Sequence, residues 1–100
     1  MKKTIALGML LALALPVAVF ADGAAIFKSR CAMCHGPDGS GNTPIGKSLK
    51  LKDLGSPEIQ KLTDAEIAKS LTNGKGKMPA SKLAPADIEA VIKFIRTLRK

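Results

Sequence analysis

A chain of 100 residues with 16 basic and 8 acidic side chains, a formal charge of +8 and neither Trp nor Tyr has material for one small domain and little aromatic mass to build its core. It offers no second domain and no internal repeat. Its three Phe do not interleave with the lysines, which argues against a nucleic-acid binder and leaves an acidic protein partner, an anionic membrane surface or simple solvation as uses for the charge.

The first 21 residues read as a leader. Lys2 and Lys3 form a short positive region, Ile5 to Val19 is apolar apart from Gly8 and Pro16, and Val19-Phe20-Ala21 resembles a small-residue cleavage site. This three-part pattern predicts a Sec-type signal peptide over 1–21, export to the periplasm, and a mature domain over 22–100 with no stable membrane insertion. An uncleaved anchor is the competing reading. The apolar run is slightly short for a span of ~20 residues, and Pro16 interrupts it. Phe20 leaves with the leader, so Phe27 and Phe94 are the aromatic residues of the domain.

In the mature part, Gly23 to His35 is predicted as one helix with Phe27 and Cys31 on a shared face, stopped by Gly36 and Pro37. Turn chemistry follows as far as Asn42. Residues 43–62 are broken by Pro44, Gly46, Gly55 and Pro57, and only a short helical piece over Pro57 to Lys61 is expected there. Thr63 to Asn73 is predicted as a helix with Thr63 and Glu66 forming a capping box, Leu62 stapling against Ile67, and Gly74 as its stop. A loop with Met78-Pro79 leads to Pro85, which opens the last helix. Ile88, Val91, Ile92, Ile95 and Leu98 give that helix a buried face. Glu89, Lys93, Arg96 and Lys100 lie opposite, with Glu89–Lys93 a favourable pair. There is no convincing strand, so the fold class is all-α.

The chemistry concentrates in Cys31-Ala-Met-Cys34-His35. Cys-x-x-Cys-His is the attachment signature of a c-type haem: the thiols of Cys31 and Cys34 form the two thioether links, and His35 is placed to ligate the iron. A redox disulfide or half a zinc site are the bland alternatives. The chain has no other Cys and no other His, so a Cys/His zinc site has too few ligands, and no βαβ pattern supports a thioredoxin-like reading. The second axial position needs another donor. Met33 lies inside the motif, and Met78 is the one other methionine of residues 22–100, which makes Met78 the candidate for the far face. A haem would also supply the flat apolar body that the side chains lack, so the apo chain is expected to fold poorly.

With these residues the chain resembles a small bacterial class I cytochrome c, close to the c6-like and c551/c552-like groups. The match rests on Gly23 and Phe27 ahead of Cys31-Ala-Met-Cys34-His35-Gly36, the Gly/Asn loop after it, Asn73-Gly-Lys-Gly-Lys-Met78-Pro79, and the Asp-Ile-Glu-Ala-Val-Ile opening of the last helix. The resemblance implies an all-α fold of three to four helices and loops around one covalent haem c with its iron. It implies that the first and last helices cross, with Gly23 and Phe27 meeting the region of Val91, Phe94 and Ile95. It also implies a backbone carbonyl that accepts from the other nitrogen of His35, for which Pro44 is the candidate. Relatives often carry Trp or Tyr near the haem; here neither is present.

The function this implies is one-electron transfer rather than enzymatic turnover. The expected protein is a monomeric periplasmic carrier, His/Met-ligated, that exchanges electrons with redox partner proteins. Lys75, Lys77 and Lys82 beside Met78 suit a partner with an acidic docking patch. Two alternatives stand beside it. One is a ligand-binding sensor or small peroxidase-like domain with a labile Met78; the other is a haem subunit of a larger periplasmic oxidoreductase.

Overall fold

Asp22 caps the first helix, its carboxylate accepting from the Ala25 N–H at 3.2 Å. The architecture comes from a computed structural model, which describes residues 21–100; the predicted leader over 1–21 thus lies, but for Ala21, outside the described residues. Helix α1 (Gly23–Arg30) is followed by the single turn α2 (Ala32–His35), then α3 (Pro44–Leu49), α4 (Pro57–Gln60), α5 (Asp64–Asn73) and α6 (Pro85–Thr97). No strand occurs among the described residues; the one isolated bridge joins Lys75 to Met78. The all-α expectation holds.

Two expectations need correction. Gly23 to His35 is not one unbroken helix. Cys31 departs from helical geometry at φ −120°, ψ −30°, while hydrogen bonding continues through it. The Cys31 N–H still donates to the Phe27 carbonyl at 2.8 Å, and the Cys31 carbonyl accepts from both Cys34 and His35. The segment after Asn42 is also not wholly irregular, because it contains α3. Thr43 caps this helix with Oγ1 accepting from the Gly46 N–H at 2.8 Å, Pro44 takes the first position, and Lys50 ends it in the left-handed region at φ 56°. The α5 helix forms as its sequence dictates, with the capping box of Thr63 and Glu66 complete in both directions.

The core is a clasp between the two ends of the domain. Phe27, Ile67, Ile88, Val91, Ile92 and Ile95 are buried together, and the rings of Phe27 and Phe94 sit 5.0 Å apart in a tilted arrangement. Leu62 packs on this cluster from the start of α5, alongside Ile67. Gly23 lets α1 approach α6 closely: a side chain there would collide with the Ala90 carbonyl.

The far side of α6 is tied down by one cation. The expected Glu89–Lys93 pair is absent from the ion pairs among the described residues, as suits exposed charges that gain little from pairing. Arg96 instead reaches across to α4 and α5. It donates to the Gln60 and Leu62 carbonyls at 2.9 and 2.6 Å and pairs with the Asp64 carboxylate at 2.7 Å. Gln60 completes this seam, its amide donating to the carbonyls of Leu54 and Ile95.

Candidate haem-binding site

The α1–α6 clasp presents the motif at its edge. Cys31 and Cys34 are half-buried, and both are free thiols. Burial raises the Cys31 pKa, partly offset by the Arg30 guanidinium beside it, so the group is held as a neutral thiol near neutral pH. His35 packs beyond Phe27 with ring centres 6.4 Å apart. Desolvation lowers its pKa, which favours the neutral imidazole needed for ligation.

The backbone around the motif is fixed from the following loop. The Thr43 hydroxyl donates to the Cys34 carbonyl at 2.6 Å, and the Gly41 N–H donates to the His35 carbonyl at 2.7 Å. Gly46 brings α3 against both: a β-carbon there would lie 2.7 Å from the Cys34 carbonyl oxygen and would collide with that of Gly41. The loop between is closed by Asp38, whose carboxylate accepts from the Ser40 hydroxyl and N–H and is held below its ordinary pKa by those bonds. Thr43, Gly46 and α3 were not anticipated as supports for the motif. Thr-Pro ahead of an apolar residue is the cap signature that could have found them.

No hydrogen bond between His35 and the Pro44 carbonyl is present among the described residues. His35 Nδ1 is buried and has no hydrogen-bond partner. Pro44 opens α3 at its first turn.

Met78 is half-buried in a tightly defined turn. Lys75 and Met78 exchange both backbone hydrogen bonds at 2.9 Å across Gly76-Lys77, with Gly76 at φ 59° as the first central residue. Gly74 lets the chain fold back on itself, since a β-carbon there would lie 2.7 Å from the Met78 carbonyl oxygen. The two segments that carry His35 and Met78 are joined by Arg30, which donates to the Ser81 carbonyl at 2.8 Å.

These residues fit a covalent haem. Two free thiols one helical turn apart are followed directly by an imidazole whose buried nitrogen is otherwise unpartnered. Large apolar side chains stand exposed on the motif and on α3: Met33 at 78%, Ile45 at 40% and Leu49 at 37%, the last two sharing one helix face. An apolar ring system is the kind of body such a face covers. Among the described residues no cluster of three or more His, Cys, Asp or Glu could hold a bare metal ion.

Comparison with known proteins gives the same picture. A family model described as "Cytochrome C oxidase, cbb3-type, subunit III" matches residues 18–95. The cbb3-type cytochrome c oxidase subunit FixP of Azorhizobium caulinodans is 37% identical over 79 residues, covering 76% of this chain and 26% of that protein. The chain thus spans about a quarter of FixP. Cytochrome c6 of Microcystis aeruginosa is 38% identical over 76 residues, covering 74% of this chain and 90% of the relative. Among solved structures, the KustC0563 c-type cytochrome superposes with a TM-score of 0.71 at 30% identity, over 79% of this chain and 99% of the other.

Proposed function

Because this chain belongs to the family described as cytochrome c oxidase cbb3-type subunit III, and with it to the small class I c-type cytochromes, we propose that it is a periplasmic one-electron carrier with iron held between His35 and Met78. Membership makes it an electron-carrying haem protein with one covalent haem c. That group supplies a one-electron couple between Fe(III) and Fe(II).

The protein side of the chemistry lies in four residues. Cys31 and Cys34 hold the haem through thioethers, and His35 offers a neutral imidazole from the same turn of chain. Met78 offers a soft thioether that favours the reduced metal and raises the potential relative to a second imidazole. The turn around Met78 and the supports around His35 keep both donors in place, so little rearrangement accompanies a change of charge. The observation that carries the reading is the pairing of the free-thiol motif with a methionine in a doubly hydrogen-bonded turn.

Charge supports exchange with an acidic redox protein. No Asp or Glu occurs from Gly39 to Lys52 or from Ile67 to Ala86, while Lys47, Lys50, Lys52, Lys69, Lys75, Lys77 and Lys82 fall within those stretches. The leader over 1–21 supports export, with cleavage before residue 22.

The test is the optical spectrum of the oxidised and reduced protein made in a host that attaches c-haem. The expected result is a low-spin reduced spectrum and a weak far-red band of methionine-ligated ferric iron that vanishes in Met78→Ala. A high-spin spectrum, or a band that survives Met78→Ala, overturns the ligand assignment. A second reading is favoured by the FixP match: the domain serves as the haem module of a larger oxidase assembly. Recovery of a stable complex from cells would support that reading over a free carrier.

A further inference from the structure

The segments bearing the two proposed axial ligands are joined by one side chain. Arg30 ends α1 directly before Cys31, and its Nη2 donates to the Ser81 carbonyl at 2.8 Å across a separation of 51 residues. Ser81 lies just beyond Met78. Its own N–H donates to the Leu71 carbonyl at 2.9 Å, and its hydroxyl accepts from the Leu83 N–H at 3.3 Å. Lys82, between them, sits at φ 59°, a left-handed conformation that a side-chain-bearing residue keeps only where its surroundings hold it. The carbonyl that Arg30 grips belongs to the peptide leading into this strained residue.

We propose that Arg30 is a positioning residue that latches the Met78 loop to the motif helix and so sets how often Met78 leaves the iron. This rests on the reading of Met78 as an axial ligand. An outside ligand can reach the iron only while Met78 is away. Its apparent affinity is therefore its intrinsic affinity scaled by the open fraction. Loosening the latch raises that fraction. Lysine can replace the charge of arginine and one of its donors, but not its planar fork.

The experiment titrates the ferric holoprotein with neutral imidazole in the wild type, Arg30→Ala, Arg30→Lys and Lys28→Ala, and follows amide hydrogen exchange over residues 78–83 in each. Lys28 is an exposed cation on the same helix whose side chain has no hydrogen bond or ion pair among the described residues, so it controls for lost charge. The expected result for Arg30→Ala is about 3- to 10-fold tighter imidazole binding, the size of an ordinary coupling between sites. Exchange over 78–83 should quicken while amides of the α1–α6 core stay unchanged. Arg30→Lys should recover part of the difference, and Lys28→Ala should behave as wild type. Unchanged affinity and exchange in Arg30→Ala, or equal changes in Lys28→Ala, overturn the latch. If the wild-type protein lacks the far-red methionine band, the ligand assignment fails separately. Exchange over 78–83 then decides the latch alone, and unchanged exchange rejects it.

Discussion

A β-carbon on Gly23 would collide with the carbonyl oxygen of Ala90 and lie 3.2 Å from the Val91 amide nitrogen. Both obstacles are backbone of α6, so neither can rotate away. Gly23→Ala must therefore push α1 off α6 or bend one of them. The expected cost is about 1–3 kcal/mol of holoprotein stability, read as a lower urea midpoint at unchanged slope. A midpoint equal to wild type would mean that the two helices separate without loss.

Arg96 should matter more than its half-exposed position implies. It serves two carbonyls and a carboxylate from α4 to the start of α5. Arg96→Ala leaves the Gln60 and Leu62 carbonyls without that donor, at an expected cost of about 1–3 kcal/mol. Arg96→Lys should recover less than half of it, because one ammonium cannot span three acceptors. Full recovery by lysine would assign the effect to charge alone.

The Asp53–Lys100 pair gives stability a dependence on pH at both ends. The Lys100 ammonium, at 2.6 Å, and the Gly55 N–H hold the Asp53 carboxyl below its ordinary pKa. That contribution is present above the unfolded value of about 3.9 and is lost as pH falls through the lower folded value. Lys100 is raised by the same bond, so its share is present below about 10.4 and is lost as pH rises through the higher folded value. Denaturation midpoints of wild type and Asp53→Asn should differ at pH 7 and converge near pH 2. A constant gap across that range would refute the linkage.

Lys75 opens the turn that presents Met78, Lys77 is its second central residue, and both are exposed. Reversing both to Glu should slow electron transfer to an acidic partner by about 10-fold or more at low salt, and the difference should shrink as salt rises. Stopped-flow rates across an ionic-strength series measure it. Equal rates at low salt would remove these lysines from the docking face.

Local signals were legible in the sequence and long-range backbone contacts were not. The capping box at Thr63, the Pro85 start of α6 and its apolar stripe are written in side chains within one or two turns of each other. The meeting of Gly23 and Phe27 with α6 came from the family resemblance, and the structure places it where expected. Gly46 misled because glycine reads as a breaker, whereas here its missing side chain admits the Cys34 carbonyl. Arg30 and Arg96 were invisible because their partners are mainly carbonyls, which every residue carries. The Pro44 carbonyl could not be judged without knowing that Pro44 begins a helix.

The clasp of α1 on α6 also has a temporal meaning. Cys31, Cys34, His35 and Met78 all precede Pro85, whereas most of the buried side chains, from Ile88 to Ile95, belong to α6. If the chain is exported N-terminus first, as proposed above, every candidate haem donor is delivered before the helix that seals the core. The α1–α6 contact that closes the core spans nearly the whole domain, a separation that makes such contacts slow to form. On that reading, the order of residues leaves the thiols reachable while a haem is delivered.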